Sequence, residues 1–511
     1  MKKSVIISFL LLFSIYGNGQ IPQSPFSFHE NGVLRFRLDD FKGALHEFDK
    51  AIKIKPDYAE AYLNRGIVKY VLGNYKGSLE DCDKAIKLKP NFARAYYNRG
   101  IVKAVLGGDY KGAIADYDKA ISLKPYDEPA TNNRGIAKEA LGNTEGAMED
   151  FNIAIGLNLQ DELAYNNLGT VKEITNNNPN AINDLNKAIE LKPDYGKAYY
   201  NRAIAKTSMA DDKGAIEDLD KAIKFNYANT QSYLHRGLAR YNLGDYLGAV
   251  SDYNQAIQLS PEDAQLYNNR GLAYIKLMRY AEAFKDYDKA IALNPKYTEA
   301  YYNRGLAKNL LSEYNLAEND FTKVIELSPE NANAYCYRGL VKEAMGDHKG
   351  AGLDYDKAID LNPNLAQAYY NKAIMEEKSG NIKNAILDLN KSIDLKPNSS
   401  QAYKQRAISK YKLADYNGAL QDYNKVIEIN PVNAESYNNR GIIKKKSGDY
   451  KGAIQDFDKA IELESEYAIA YYNRAIAKEA MDDSKGSCSD WKKALELGFN
   501  EASMKIKISC N

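Results

Sequence analysis

The stretch TQSYLHRGLARYNLGDYLGAVSDYNQAIQLSPED, residues 230–263, decides how the whole chain is read. Numbered 1 to 34, it carries two helical faces. Tyr233, Gly237 and Arg240 stand at positions 4, 8 and 11, and Ala249, Tyr253 and Ala256 at positions 20, 24 and 27. Each trio has the i, i+4, i+7 spacing of one side of an α-helix. Gly244-Asp245 between them reads as a turn, and Pro261 cannot continue a second helix. Small residues at 8, 20 and 27 let two helices approach, with the aromatics at 4 and 24 filling the space between them. The stretch predicts a helical hairpin.

The pattern recurs at a 34-residue step. Copies start at Pro25, Ala59, Ala93, Glu128, Glu162, Gly196, Thr230, Ala264, Thr298, Ala332, Ala366, Ser400, Ala434 and Ala468, the last ending at Glu501, with one extra residue near Gly107-Gly108. Such repetition overrides any estimate of domain number from length. With Tyr233, Gly237, Leu243, Gly244, Tyr246, Ala249, Tyr253, Ala256 and Pro261 in place, the unit resembles a tetratricopeptide repeat. The resemblance implies an all-α, right-handed superhelical solenoid of fourteen helix-turn-helix units over residues 25–501, with residues 502–511 as a C-terminal cap. The first copy is degraded, with Phe28 and Asn31 where other copies carry Tyr and Arg, as a terminal repeat is expected to be.

The 69 basic and 68 acidic residues leave a formal net charge of +1, which creates no field to draw nucleic acid or an anionic membrane. Twelve of the 41 tyrosines fall at position 4, where they read as interior packing and not as a platform for bases.

The N-terminus has its own logic. Met1-Lys2-Lys3 is cationic, residues 5–15 form an apolar run, and Gly17-Asn18-Gly19 precedes Gln20. This is the layout of a signal peptide over residues 1–19, cleaved before or after Gln20, with residues 20–24 as a linker. The run is too short to span a membrane comfortably, and the other reading is a buried first helix. The start is similar to those of exported proteins of the Bacteroidota. No cysteine follows the run to carry a lipid anchor, and no second apolar stretch follows, so the mature chain is expected to have no membrane insertion. Export to the periplasm is the expectation, with secretion or association with the outer membrane as the other destinations. An exported chain permits disulfides, so Cys488 and Cys510 are either bridged, pinning the tail to the last copy, or two free thiols. Cys82, at position 24, reads as a buried thiol, and no cysteine spacing suits a metal site.

Copies within one chain can be compared with one another. Position 7 is basic in twelve of fourteen copies and position 23 is Asp in thirteen. These positions predict a ladder of structural ion pairs inside the stack, among them Arg236 with Asp252, Arg270 with Asp286 and Arg304 with Asp320.

Catalysis finds little support. His29, His46, His235 and His348 lie in four different copies, no glycine-rich phosphate loop is present, and the carboxylates follow the repeat period. No cofactor or metal is expected. Binding has more room. The resemblance implies that first helices line a concave groove, with positions 2, 5, 6, 9, 12 and 13 facing a ligand. Position 6 is Asn in ten copies: Asn64, Asn98, Asn133, Asn167, Asn201, Asn269, Asn303, Asn371, Asn439 and Asn473. Position 9 is aliphatic in thirteen. An amide both donates and accepts, so such a row suits the backbone of an extended peptide; the other reading is that Asn is simply a common residue of the family at this position. Lys at 5 with Asn at 9, the family's clamp for chaperone tails, is absent, since Lys404 is the one lysine at 5. The expected function is therefore a non-catalytic scaffold or adaptor that binds extended polypeptide in its groove. The alternatives are a cell-envelope factor organising peptidoglycan or outer-membrane enzymes, an enzyme of unknown type, and a glycan-binding groove. Protein or peptide partners are expected, and no nucleic acid.

Overall fold

The computed structural model describes residues 24–510. The signal peptide read over residues 1–19 and most of the linker after it lie outside the described residues. Among the described residues there are 29 α-helices and no strands. The described residues divide into two compact units, the first ending at Pro261 and the second beginning at Glu262.

In the first unit, seven helical hairpins follow one another from Pro25–Arg37 with Phe41–Ile54 to Thr230–Asn242 with Tyr246–Leu259. The last of these shows why the sequence folds so. Gly244 takes φ +84°, a left-handed turn conformation that costs glycine little, and ends the first helix. Asp245 then caps the second helix, its side chain accepting the backbone N–H of Gly248. That helix stops at Leu259, ahead of Pro261. Between the helices Tyr253 is 1% exposed, and a Cβ on Gly237 would stand 2.7 Å from its ring. Ala249 and Ala256 are fully buried beside it. The period of the small residues is thus the footprint of one buried side chain per hairpin, an aromatic except where Cys82, Leu185, Leu219 and Leu389 take its place.

Position 4 departs from the sequence reading. Tyr233 is half-buried, not interior, and lies under the Arg236 guanidinium at 5.6 Å from ring centroid to Cζ. The same stacking recurs at Tyr62 with Arg65 and at Tyr199 with Arg202, although Tyr199 is buried, as the sequence reading expected. The tyrosine's neighbour one helical turn on is a charge, so its ring covers that charge instead of filling the core.

The second unit holds seven more hairpins, from Ala264–Lys276 with Tyr280–Leu293 to Ala468–Glu479 with Ser484–Glu496, and then a short helix Ala502–Ser509. This last helix closes the apolar end of its hairpin. Ala502 is fully buried against Trp491 and Ala494, and Glu479 accepts hydrogen bonds from Lys505 and Ser509. Cys488 and Cys510 are bridged, tying the helix to the hairpin it covers. Cys82 and Cys336 are free thiols, both buried, and burial pushes each up to about 12. No described helix is long and apolar enough to cross a membrane.

Candidate peptide-binding face

The face is built on an internal frame of charge. Arg236 donates to Asp252 through Nη2 at 2.6 Å and Nε at 3.0 Å, and Asp252 is 1% exposed. Arg270 meets Asp286, and Arg304 meets Asp320, with the same two-pronged geometry. Two further partners escaped the sequence reading. A cation at position 11 joins the same carboxylate: Arg240 reaches Asp252 at 2.7 Å and Lys308 reaches Asp320 at 2.9 Å. The third guanidinium nitrogen reaches back to position 25 of the preceding copy, as Arg236 does to Asp220 and Arg304 to Asp288, both at 2.5 Å. Position 11 lies one turn beyond 7 on the same helix, and that spacing was the available signal. The hydrogen bonds of Asp81 raise Arg65 above its already high ordinary value, against the opposing effect of burial.

The asparagines at position 6 have a related task. Seven of the ten donate from Nδ2 to the side chain at position 5 of the preceding copy. Asn64 pairs with His29 at 2.8 Å, Asn133 with Tyr97 at 3.2 Å, Asn167 with Asn132 at 3.2 Å and Asn201 with Asn166 at 2.9 Å. Asn303 pairs with Asn268 at 3.0 Å, Asn371 with the Cys336 sulfur at 3.6 Å and Asn473 with Asn438 at 3.1 Å. The exceptions have a cause. Asn98 and Asn439 follow copies whose position 5 is Leu63 and Lys404, neither of which offers an acceptor, and Asn269 lies in the first copy of its unit. Asn98 donates to its own helix at Arg94 O, while Asn269 and Asn439 accept from Asn268 and Asn438 beside them.

Position 5 is therefore not the open groove position that the sequence suggested. Leu63, Asn166, Leu234, Asn268, Cys336 and Asn438 are all buried. Positions 2 and 13 are the open ones. In the second to fifth copies position 13 forms a short apolar row of Val71, Val105, Ala140 and Ile174, with Val71 and Val105 48% exposed and Ile174 53% exposed, and it turns polar at Ser208 and Asn242. The aliphatic residues at position 9, such as Ile67, Ile101 and Ile204, are half-buried alongside the amides. A cleft opens among the first three copies, lined by Val33, Phe36, Asn64 and Ile67, with Arg37 and Arg94 at its edge. Among the described residues no group of three His, Cys, Asp or Glu is placed to hold a metal ion.

Comparison with known proteins follows the same period. A model described as "TPR repeat" matches residues 32–73, 237–277 and 409–448. One described as "Tetratricopeptide repeat" matches residues 59–92, 264–297 and 434–467, and a second of that description matches 93–127, 163–195, 298–331, 332–365 and 366–399. No curated protein matches the sequence. Among solved structures, yeast Tom70 is 20% identical, with a TM-score of 0.39 over 76% of this chain and 96% of its own. Cut9–Hcn1, a hetero-tetramer of the APC/C, is 13% identical, with a TM-score of 0.40 over 93% and 99%. YrrB, a TPR protein with an unusual peptide-binding site, is 22% identical, with a TM-score of 0.33 over 37% and 97%.

Proposed function

Because the chain belongs to the tetratricopeptide repeat family, we propose that its first-helix faces hold extended polypeptide and that the protein works as a non-catalytic scaffold. The observation that carries this reading is the open row beside the locked amides. Val71, Val105, Ala140 and Ile174 remain exposed at one position of four successive copies, where a helix with no partner is expected to be polar. Next to them, the amides of Asn133, Asn167 and Asn201 are fixed by the preceding copy, and the Asn201 carbonyl oxygen takes no part in that bond. Fixed polar groups next to apolar surface lower the ordering cost of binding a flexible chain.

An array of immobilised peptides tests the reading. Wild type is compared with Val105→Asp and with Asn98→Ala, whose amide makes no tie to the preceding copy and so can be removed without loosening the stack. A common set of peptides bound by wild type and weakened about tenfold or more by Val105→Asp is the expected result. Equal binding by both variants would move the interaction to another face.

We infer, too, that the chain is exported, with the periplasm as its destination. Residues 1–20 supply the motif, and the Cys488–Cys510 bridge supports an oxidising compartment. N-terminal sequencing of the mature protein from fractionated cells tests this: a new terminus at or next to Gln20 in the periplasmic fraction is expected, and an intact Met1 in the cytosol would refute it.

A further inference from the structure

The cleft among the first three copies differs from the rest of its unit in its arginines. The other described arginines of the unit have carboxylates: Arg35 meets Asp40, Arg65 meets Asp81 and Asp49, and Arg99 meets Asp116 and Asp83. Arg37 and Arg94 are exposed at the edge of the cleft and have no carboxylate partner among the described residues. Between them the wall is apolar, made of Val33, Phe36 and Ile67. Asn64 completes it, held by the His29 ring at 2.8 Å.

Two guanidinium groups beside an apolar wall form a defined recognition surface. Each guanidinium is a planar donor that matches a carboxylate in two-pronged geometry. The wall buries an aliphatic or aromatic side chain, and removing water there strengthens the adjoining charge contact. Asn64 offers its carbonyl oxygen to a backbone N–H while its amide is held. We propose that this cleft binds an acidic polypeptide segment, with an apolar side chain against Val33, Phe36 and Ile67 and neighbouring carboxylates on Arg37 and Arg94. The assignment rests on the polypeptide-groove reading above and narrows it to a partner of stated chemistry. The carboxylate can come from Asp or Glu side chains or from a chain end. The chain's own first 23 residues contain no Asp or Glu, so they lack the complementary group. With a net charge of +1, the protein as a whole adds no general attraction for acidic peptides, and the selectivity is local to the cleft.

Fluorescence anisotropy with labelled peptides tests it on the full chain. The first probe carries Phe flanked on both sides by Asp and Glu, with an amidated end; the second replaces those acids by Asn and Gln. A third pair is neutral and ends in Phe, with either a free or an amidated C-terminus. Each is titrated into wild type, into Arg37→Gln/Arg94→Gln, and into a charge-matched control, Lys42→Gln/Lys76→Gln, at two exposed lysines on second helices. The expected result is binding of a carboxylate-bearing probe, loss of at least about tenfold affinity in the arginine variant, and no change in the lysine control. Preference for the flanked probe identifies side-chain carboxylates, and preference for the free-ended probe identifies a chain terminus; either supports the assignment. Equal binding of neutral and acidic probes, an unaffected arginine variant, or self-association of the chain through this face overturns it. If acidic probes bind and are weakened by Val105→Asp but not by the arginine variant, the groove stands and this assignment falls. If no probe binds and the peptide array is also blank, both fall.

Discussion

The seventh copy and the eleventh solve one electrostatic problem differently. In the seventh, Arg236 places two nitrogens on Asp252 and a third on Asp220 of the copy before, and Arg240 adds a second cation to Asp252. In the eleventh the cation is Lys372. It sits 2.8 Å from Asp356 of the copy before and 4.0 Å from Asp388 in its own hairpin. Position 11 there is Glu376, an acid where Arg240 is a base. The side chain of Asp252 is 2% exposed and that of Asp388 is 17% exposed. A guanidinium can bridge two carboxylates in one plane, whereas an ammonium has to favour one. The fifth copy extends the lesson: Leu168 replaces the arginine altogether, and Asp184 keeps only Lys172, at 2.6 Å. The ladder thus has twelve basic rungs in sequence, but its rungs differ in strength.

The largest expected effect comes from breaking a strong rung. Asp252→Ala leaves Arg236 and Arg240 partly buried beside each other without their shared carboxylate. Removing one partner of a buried pair costs about 3–5 kcal/mol, and the residual water access of both arginines sets the expectation near the lower figure. Repeat stacks lose stability locally, so denaturant unfolding is read together with hydrogen exchange across the sixth and seventh hairpins. Unchanged protection there would show that the pair contributes no more than a surface bridge.

Two smaller changes sharpen the same contrast. Lys372→Arg supplies the eleventh copy with a fork able to reach Asp356 and Asp388 together, and a gain of about 1 kcal/mol is expected in the unfolding of that hairpin. No gain would mean that Glu376, not the lysine, limits the site. In the fifth copy, Asp184→Ala removes a single lysine contact from a side chain 16% exposed, so a loss of about 1 kcal/mol or less is expected. A loss equal to that of Asp252→Ala would erase the distinction between the two kinds of copy.

What the sequence disclosed follows from where each contact runs. Gly237 against Tyr253 is a contact within one hairpin, and helical period and residue size both point to it. The placing of Arg236 near Asp252 is of the same kind, since both positions lie on packed faces of one unit. The amide of Asn201 on Asn166, and Arg236 on Asp220, cross from one copy to the next. Those contacts depend on how copies stack, which no period within a helix encodes. For the same reason position 5 read as groove when it is buried between copies, and Tyr233 read as core when it shields a charge. The binding face was legible in outline, through the aliphatic residues at 9 and the amides at 6. That Arg37 and Arg94 lack carboxylates emerges only once every neighbouring acid has been placed.

The smallest effect has a sign that can be reversed. Burial raises the Asp388 carboxyl above its ordinary range; Lys372 pulls it down, and Glu376 and Asp356 push it up. A carboxyl raised in the folded state takes up its proton there first as the pH falls, so the native form binds more protons than the unfolded one. Its contribution to stability is accordingly present below the unfolded value, near 3.8, and is lost as the pH rises through the raised folded value. The effect should stay below the roughly 1 kcal/mol of an exposed pair, because the lysine and nearby water offset much of the burial. Exchange protection of the helix Ile382–Leu395, corrected for intrinsic rates over a pH series, is expected to decline with rising pH in wild type and to flatten in Asp388→Asn. An identical slope in both would exonerate Asp388. In Lys372→Arg the two-pronged contact favours the charged form, so the slope should change sign and protection should rise with pH, as for any carboxylate held by an arginine. A slope that keeps its wild-type sign in that variant would mean that the geometry of the copy, and not the chemistry of one cation, separates the eleventh hairpin from the seventh.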